Sequence, residues 1–350
     1  MKKLFFLLAL APLGFYKAQQ GGIKYYRFLD LPMTARAAAL GGNNMSIWGD
    51  DIQLIYSNPA LLNPSMSNQA ALDFSNYVGD MKYGFAAYGH ALKNKACLAG
   101  SIQFFDYGKF QAYDELGTSL NTFKASDYSL NLHYAKPMAD SMFNIGVALK
   151  TILSQYDIYQ SYATAVDLGV TYRNRKRLVL SILAKNIGFI WKDYNNSTSQ
   201  NGLMPFALQF GLSYKVAKAP FRLFMVYDHL EKWRLDYISP IDTAGQYSSL
   251  DGSKKDTTGW QKFGYATEDF LDNAMRHIVF GTEIIISKNF HLRIAYNYKR
   301  QREMILPDRR GINGLSVGFG FKIKRFGFSY AFNKMAFPGN SSLFGVSLTL

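Results

Sequence analysis

The C-terminal stretch 315–350 constrains the fold of this chain more than any other part of the sequence. Its apolar residues recur at every second position, as in Leu315, Val317 and Phe319 and again from Phe326 onward, with small or polar residues between them. Because successive side chains of a β-strand point to opposite faces, each segment has one apolar face and one small or polar face. Strands of membrane barrels have this pattern, with the apolar face toward lipid and the other face toward the lumen.

The same alternation recurs upstream, from residue 69 onward. The sequence predicts strands at about 69–78, 82–92, 95–107, 124–136, 141–153, 162–173, 177–189, 204–215, 220–230, 276–287, 290–299, 313–323, 325–334 and 342–350. The last of them continues to the final residue, as expected for a strand that closes a barrel by pairing with the first.

The connections between these strands also indicate a membrane barrel. Short turns are predicted near 93–95, 137–140, 174–176, 216–219, 288–289 and 324, and they alternate with longer loops at 108–123, 154–161, 190–203, 231–275, 300–312 and 335–341. Outer-membrane barrels have short periplasmic turns, longer external loops and, in single bacterial chains, an even number of strands. The predicted fold class is therefore all-β, a transmembrane antiparallel β-barrel of about 14 strands over residues 69–350.

Residues 1–18 have the features of a signal peptide. Lys2 and Lys3 precede the apolar run 4–10, and small residues follow it. The run is too short for a membrane-spanning helix, which needs roughly 20 apolar residues. We therefore expect an exported protein of the outer membrane, with its longer loops at the cell surface.

Residues 19–68 are predicted to form an N-terminal arm and a small plug that contains short helices. Within this segment, 21–32 is expected to be extended. Thr34 is expected to cap a short Ala-rich helix, which Gly41 and Gly42 end. We expect such a compact, irregular segment inside or beneath the barrel rather than in its wall.

Two further features of the plug are candidate site residues. Ser57 or Asn58 is a candidate helix cap, because Pro59 suits the first turn of a helix. The acidic pair Asp50–Asp51 suits a turn in which the carboxylates accept backbone N–H groups, and it could also hold a cation. Arg36 is expected either to pair with these acids and lock the plug or to be solvated.

The composition argues against an activity that depends on a metal or a cofactor. Cys97 is the only cysteine, which excludes a disulfide or a cysteine-based metal site within one chain. The histidines are scattered and form no His-Glu-x-x-His motif, so neither a metal nor a cofactor is expected. They are His90, His133, His229, His277 and His291.

The formal net charge of +14 indicates an anionic partner. Nucleic acid is not expected to reach an exported barrel, whereas phosphorylated lipopolysaccharide of the outer membrane or an acidic protein would. Solvated turns are the alternative explanation for part of this charge.

The segment Gly314–Gly318 matches the Gly-x-Ser-x-Gly pattern of hydrolase nucleophiles. In hydrolases this Ser lies in a strained strand-to-helix turn, with an oxyanion hole and with His and acid partners. Ser316 instead lies within an alternating segment that no helix follows. We therefore expect it in the lumen wall and predict no enzyme activity.

The loop 231–275 is the best candidate for binding a partner protein. It combines a polar tract, 248–258, with several aromatic side chains. The aromatic residues are Trp233, Tyr237, Tyr247, Trp260, Phe263 and Tyr265. Exposed aromatic side chains on a rigid scaffold commonly anchor a partner. The alternatives are a loop that packs against itself and an aromatic girdle at the membrane interface.

The segment Tyr26–Gly42, which reads Tyr-Arg-Phe-Leu-Asp-Leu-Pro-Met-Thr-Ala-Arg-Ala-Ala-Ala-Leu-Gly-Gly, resembles the start of mature PorQ proteins of the type IX secretion system. The Asp50–Asp51 pair and the segment Asn58–Leu62 are similar to elements of the wider group that includes PorV and FadL-type barrels. The resemblance implies a FadL-like barrel at the cell surface. It also implies an attachment complex with PorZ-like, PorU-like and PorV-like partners, which processes secreted cargo and joins it to anionic lipopolysaccharide.

Three functions stay open at this point. The first is a docking platform that holds a surface partner, so that a second binding event becomes effectively intramolecular. The second is a FadL-type transporter of hydrophobic compounds, in which the plug gates the lumen. The third is a hydrolase that uses Ser316. A transporter of lipophilic compounds should have an apolar lumen, whereas Asn131, His133 and Arg293 lie on the predicted lumen face, which favours the platform.

Overall fold

The computed structural model describes residues 25–138, 142–174, 177–194, 202–235, 270–303, 313–334 and 341–350. The strands formed by these residues are β1 (Gln69–Asn76), β2 (Lys82–Ala91), β3 (Cys97–Tyr113), β4 (Ser119–Met138), β5 (Phe143–Tyr156), β6 (Tyr159–Arg173), β7 (Leu178–Lys192), β8 (Ala207–Lys215), β9 (Phe221–Tyr227), β10 (Ile278–Ile285), β11 (Phe290–Asn297), β12 (Leu315–Ile323), β13 (Phe326–Asn333) and β14 (Ser341–Thr349). Each strand pairs antiparallel with its neighbours in sequence, and β1 closes the barrel on β14. The predicted fold class is confirmed.

Side chains alternate between the lumen and the outer surface as predicted. In β4, Asn131 and His133 are buried, while Leu130 and Leu132 are 46% and 52% exposed. Every one of the described strands carries at least one exposed large apolar side chain. An apolar outer surface that surrounds a closed sheet is the surface that a bilayer covers.

The wall of the barrel is taller on one side. Strands β3 to β7 have 14–20 residues each, whereas the other described strands have 7–10. A strand that crosses a bilayer needs about 9–11 residues. We call the end that holds Leu350 and the short turns the turn end, and the opposite end the loop end. The long strands are in register near the turn end, so their extra residues project at the loop end.

The predicted loops 108–123 and 154–161 are wrong. In the structure β3 and β4 continue to a turn at 114–118, and β5 and β6 meet at the two-residue turn Asp157–Ile158. β7 likewise extends into the predicted loop 190–203. The strict alternation of short turns and long loops therefore fails between β5 and β6. Beyond the bilayer a hairpin keeps its backbone hydrogen bonds, but its outer face no longer needs apolar side chains. The alternation of apolar and polar residues therefore ends at the edge of the bilayer, while the strands continue past it.

Two short helices lie at the loop end. Residues 270–276 are helical, and Tyr298–Glu303 form a helix where the sequence predicts the end of a strand and the start of a loop. Asn297 ends β11 and caps this second helix, because its Oδ1 accepts a hydrogen bond from Arg300 N at 3.1 Å. No helix in the described part of the chain is long and apolar enough to span a membrane.

Residues 25–68 lie inside the barrel. They form 3₁₀ turns at Arg27–Asp30, Ile52–Tyr56, Pro59–Leu61 and Pro64–Met66 and one α-helix, α1, at Ala35–Ala39. The expectation that 21–32 is extended is wrong at the first of these turns. Phe28 and Leu29 are each 1% exposed there, and a compact turn directs both side chains into the core that the plug shares with the wall.

The plug as candidate functional site

The helix α1 is positioned by its cap and by the glycines that end it. Thr34 Oγ1 accepts a hydrogen bond from Ala37 N at 3.2 Å, which confirms the predicted cap. Gly41 and Gly42 have φ angles of 81° and 91°, a region that glycine enters without the steric cost of a Cβ atom. Gly42 N donates to Ala37 O at 2.8 Å and completes the end of the helix.

The wall of the barrel holds this helix at close range. A Cβ atom on Gly318 in β12 would lie 2.6 Å from Ala39 Cβ, so the helix fits only because the wall has a glycine there. Asn297 Nδ2 donates to Gly41 O at 3.2 Å. A Cβ on Gly42 would lie 2.7 Å from Arg300 Nη2. The two glycines singled out in the sequence are therefore packed between the plug and the wall.

Arg36 is the only charged residue of α1, and it joins a buried cluster of charges. Its Nη1 donates to Asp51 Oδ2 at 3.0 Å, and its Nη2 donates to Glu283 Oε1 at 3.3 Å. Glu283 in β10 is fully buried, and it also accepts from Arg222 Nη1 at 2.6 Å and from Arg293 Nε at 3.1 Å. One wall carboxylate is thus shared by three guanidinium groups, and one of these belongs to the plug.

This ion cluster connects the plug to the wall electrostatically. Burial opposes the charge on Arg36, but Glu283 and Asp51 outweigh that effect and raise the pKa of Arg36. Removing one partner of a buried ion pair typically costs about 3–5 kcal/mol, because the other charge is left uncompensated. Movement of the plug would have to break contacts of this kind.

The two members of the acidic pair have different partners. Asp51 accepts from Arg36, and its Oδ1 accepts from Gln53 N at 3.0 Å, which caps the turn that follows. Asp50 faces the turn end and lies 3.3 Å from Lys322 Nζ of β12. The expected pairing with Arg36 is therefore present for Asp51, while Asp50 forms a second, exposed ion pair with the wall.

Asn58 and Pro59 position the part of the plug that lies against β5 and β6. Asn58 Oδ1 accepts from Ala60 N at 2.9 Å, and Pro59 occupies the first position of the turn. The Asn58 side-chain amide also donates to Met45 O at 3.0 Å and to Thr171 Oγ1 of β6 at 3.3 Å. Of the two candidate caps, Asn58 is therefore the one that caps the turn, and it also contacts the wall.

Two wall residues provide room and partners for this turn. Asn144 Nδ2 in β5 donates to Ala60 O at 2.7 Å and to Leu62 O at 2.8 Å. A Cβ atom on Gly146, two residues along the same strand, would lie 2.3 Å from Ala60 N. The plug backbone therefore lies directly on β5, and the hydrogen bonds from Asn144 satisfy two of its carbonyl groups.

Sequence reasoning missed several polar groups of the wall that hold the plug or each other. Asp73 in β1 accepts a hydrogen bond from Ala35 N at 2.8 Å. Lys150 Nζ lies 2.6 Å from Asp167 Oδ2 and donates to Asn186 Oδ1 at 2.8 Å in a buried group next to a bulge in β7. The sequence does contain a signal for these contacts, because each charged residue is at an inward position of a predicted strand. A charge buried there needs a partner of opposite charge or a hydrogen bond.

A cluster of tyrosines lies beside the plug at the loop end. Tyr107 Oη donates to Asp127 Oδ2 at 2.6 Å, and Tyr156 Oη donates to the same atom at 3.2 Å. The rings continue through Tyr194 to Tyr25 of the plug, whose ring centroids are 5.5 Å apart. The first described residues of the plug therefore lie at the loop end.

Of the aromatic residues predicted to bind a partner in the loop 231–275, the structure describes Trp233. Trp233 is 43% exposed, and its ring centroid lies 4.9 Å from that of Phe270 and 5.9 Å from that of His277. It therefore lies at the loop end beside the helix 270–276. The other aromatic residues predicted for this site lie outside the described residues. They are Tyr237, Tyr247, Trp260, Phe263 and Tyr265.

Ser316 lies within β12, and its side chain is buried on the lumen side. Its backbone pairs with Ala295 on one side and with Asn333 on the other. The strand continues past it to Ile323, so the strand-to-helix turn of a hydrolase nucleophile is not formed at this position.

Comparison with known proteins supports the fold. No protein-family profile and no curated protein sequence matches this chain. The toluene transporter TodX of Pseudomonas putida is similar in structure, with a TM-score of 0.51, 12% identity and coverage of 91% of this chain and 96% of that chain. The CymD monoaromatic hydrocarbon channel is similar with a TM-score of 0.51, 11% identity and coverage of 91% and 97%. These likenesses support the closed antiparallel barrel as the fold of this chain.

Proposed function

We propose that this protein is an outer-membrane barrel with a closed lumen, which acts as a docking platform in an attachment complex of type IX secretion. The observation that carries the proposal is that the plug occupies the lumen. The wall binds the plug through buried polar side chains such as Asn144 and Glu283, and its inward apolar side chains share a hydrophobic core with the plug. A lumen that the plug fills in this way favours a rigid support over an open path for hydrophobic molecules, which need an accessible apolar pocket.

The second candidate is a channel for small hydrophobic compounds. The comparisons favour it over attachment, because the similar barrels are named as a toluene transporter and a monoaromatic hydrocarbon channel. For this chain, such transport would require the plug to leave its contacts with Glu283, Asn144 and Asn297. The contacts within the lumen therefore favour the platform, and the likeness in fold favours the channel.

The partners proposed for the platform follow from the resemblance to PorQ. They are a PorZ-like surface protein and the PorU-like and PorV-like members of the complex, with outer-membrane lipid and lipopolysaccharide as surroundings. The proposed binding surface is the loop end around Trp233, where the exposed indole packs against Phe270 at the start of the short helix 270–276. A partly exposed aromatic side chain is a common anchor for a protein partner.

A strain that lacks the protein distinguishes the two candidates. The platform predicts that secreted cargo is released or unprocessed, while the growth of the strain on hydrophobic compounds is unchanged. The channel predicts impaired uptake of a compound such as toluene, while cargo is displayed normally. Complementation with Trp233→Ala refines the test, because this variant should fold as a barrel and yet lose cargo display only if the loop end binds the partner. Normal cargo display in the deletion strain would contradict the platform.

A further inference from the structure

The turn end of the barrel carries a ring of positive charge. The described cations of its six turns and the adjoining strand ends are Lys93, Lys95, Lys136, Arg173, Arg177, Lys215, Lys218, Arg222, Lys288, Lys322, Lys324 and Arg325. Two acidic side chains lie beside them: Glu283 of β10, which is opposite Arg222, and Asp50 of the plug, which pairs with Lys322. We call the exposed turn residues Lys93, Lys95, Arg177, Lys215, Lys218, Lys288, Lys324 and Arg325 the basic rim. At the loop end, in contrast, Asp80, Asp114 and Glu115 accompany Lys109 and Lys124.

The rim lies at the edge of the lipid-facing band. Tyr214 precedes Lys215 and is 41% exposed, and Ile286 lies two residues before Lys288 and is 56% exposed. The β12–β13 turn has the same arrangement, because Ile323 and Phe326, which are 58% and 50% exposed, flank Lys324 and Arg325. A cation one or two residues from a lipid-exposed apolar side chain lies at the level of the lipid headgroups.

The rim is densest between two neighbouring turns. Arg177, Lys215 and Lys218 line an open surface cavity of about 420 Å³ together with Val216 and Ala219. Lys215 N donates to Arg177 O at 3.1 Å, so the two cationic residues are held side by side. In the part of the chain that the structure describes, none of these three side chains forms an ion pair.

We propose that the basic rim binds the phosphate groups of membrane phospholipids, with the cavity at Arg177, Lys215 and Lys218 as its strongest site for an anionic lipid. Five of the six turns contribute to the basic rim, and the exposed Lys136 lies near the sixth, so the cations are spread around the circumference. A layer of headgroups surrounds a barrel in this way, whereas a protein partner would cover one side. The proposal requires only a barrel in a bilayer and is independent of the docking function.

The affinity expected for an anionic lipid follows from general electrostatics. A basic residue near an anionic lipid surface contributes roughly a fivefold gain in affinity. Removing the three cations of the cavity should therefore weaken binding of phosphatidylglycerol by at least about tenfold. Because exposed charges are screened by salt, the affinity of the unmodified protein should also fall between low and physiological ionic strength.

Native mass spectrometry of the purified barrel, with added phosphatidylglycerol or phosphatidylcholine, tests the proposal. The variant is the triple change Arg177→Gln, Lys215→Gln and Lys218→Gln. Its matched control removes three exposed cations at the loop end, Lys109→Gln, Lys124→Gln and Lys232→Gln. We expect the cavity variant to lose phosphatidylglycerol while the control keeps it, and we expect phosphatidylcholine to bind weakly to all three proteins.

Two outcomes would overturn the proposal. One is equal loss of phosphatidylglycerol from both variants, which would show a general effect of net charge. The other is displacement of the lipid by millimolar inorganic phosphate, which would show a site for a free anion. If the cavity variant fails to fold, the single change Lys218→Gln and the salt dependence of the unmodified protein decide the question, because a lipid site requires both to reduce binding.

Discussion

Arg36 of the plug and Glu283 of β10 are 247 positions apart in the sequence, and Arg36 Nη2 lies 3.3 Å from Glu283 Oε1 inside the lumen. Glu283 also accepts hydrogen bonds from Arg222 and Arg293 of the wall. The same carboxylate therefore stabilises charges of the wall and the one charge of the plug helix. Loss of Glu283 should affect both.

The first prediction concerns this shared carboxylate. Glu283→Gln leaves three guanidinium groups, of which those of Arg36 and Arg293 are buried, without their common counter-ion, and we expect a loss of stability of about 3–5 kcal/mol. Lys322→Gln, which breaks the exposed pair with Asp50, should cost roughly 0–1 kcal/mol. The temperature at which the folded barrel converts to the unfolded form on denaturing gels measures both. Equal shifts for the two variants would contradict the structural role of the cluster.

The second prediction tests how closely the plug lies on the wall. Gly146→Ala would place a Cβ atom 2.3 Å from Ala60 N, so the turn at Pro59–Leu61 must move. Gly100→Ala is the matched control, because nothing lies within 4 Å of its added Cβ atom. We expect Gly146→Ala to raise the ion conductance of the barrel in planar bilayers and Gly100→Ala to leave it unchanged. An unchanged conductance for Gly146→Ala, in a folded barrel, would show that the plug can shift without opening a path.

The third prediction concerns the outer face of β4. Leu132 is 52% exposed and faces the hydrocarbon, where an Arg at mid-depth costs roughly 2–4 kcal/mol. Thr122 lies on the same face of the same strand, in the hairpin that projects at the loop end. Leu132→Arg should therefore reduce assembly into the membrane, while Thr122→Arg should assemble normally. Folded yields measured on gels decide the outcome, and equal yields would show that the projecting part is also covered by lipid.

The alternation of apolar and polar residues correctly predicts those parts of the strands that lie within the bilayer. Leu130 and Asn131 have the faces expected from the sequence, because lipid and lumen demand different side chains. Beyond the bilayer these two environments no longer act on the strands, and Gln111 pairs with Thr122 in a hairpin that the sequence pattern predicts as the loop 108–123.

The contacts of the plug were only partly predictable. The cap at Thr34 and the glycines Gly41 and Gly42 follow from local backbone chemistry, so the sequence identifies them. The partner of Arg36 in the wall depends on barrel closure and strand register, which bring β10 to the plug from a distant part of the chain. No local pattern carries that information, although Glu283 at an inward position indicates that some cation must lie near it.

The fourth prediction concerns pH at the loop end. Asp272 accepts hydrogen bonds from Tyr298 Oη at 2.6 Å, from Arg276 Nε at 2.7 Å and from Arg302 Nε at 2.8 Å. Burial alone would raise the pKa of Asp272, but Tyr298 and Arg276 outweigh it and lower the pKa. The group therefore contributes stability that is present above its unfolded pKa of about 3.9 and is lost as the pH falls through the lower folded value.

Acidification below about pH 4 should accordingly loosen the contact between the helices 270–276 and Tyr298–Glu303. Hydrogen exchange of these two segments, corrected for the intrinsic effect of pH, should rise in the unmodified protein. Asp272→Asn should show the faster exchange already at neutral pH and little further change in acid. Fast exchange in the unmodified protein at neutral pH would contradict a stable contact.

The last prediction fixes the orientation of the barrel. If the turn end is periplasmic, Asn94 in the β2–β3 turn is hidden from a membrane-impermeant thiol reagent on intact cells, and Glu115 at the tip of the β3–β4 hairpin is accessible. Both positions are exposed in the structure, so accessibility depends on the side of the membrane and not on burial. The test uses Asn94→Cys and Glu115→Cys in a Cys97→Ser background, with lysed cells as the control for reactivity. Labelling of Asn94→Cys but not Glu115→Cys on intact cells would show the opposite orientation, and would place the basic rim in the outer leaflet and the exposed indole of Trp233 in the periplasm.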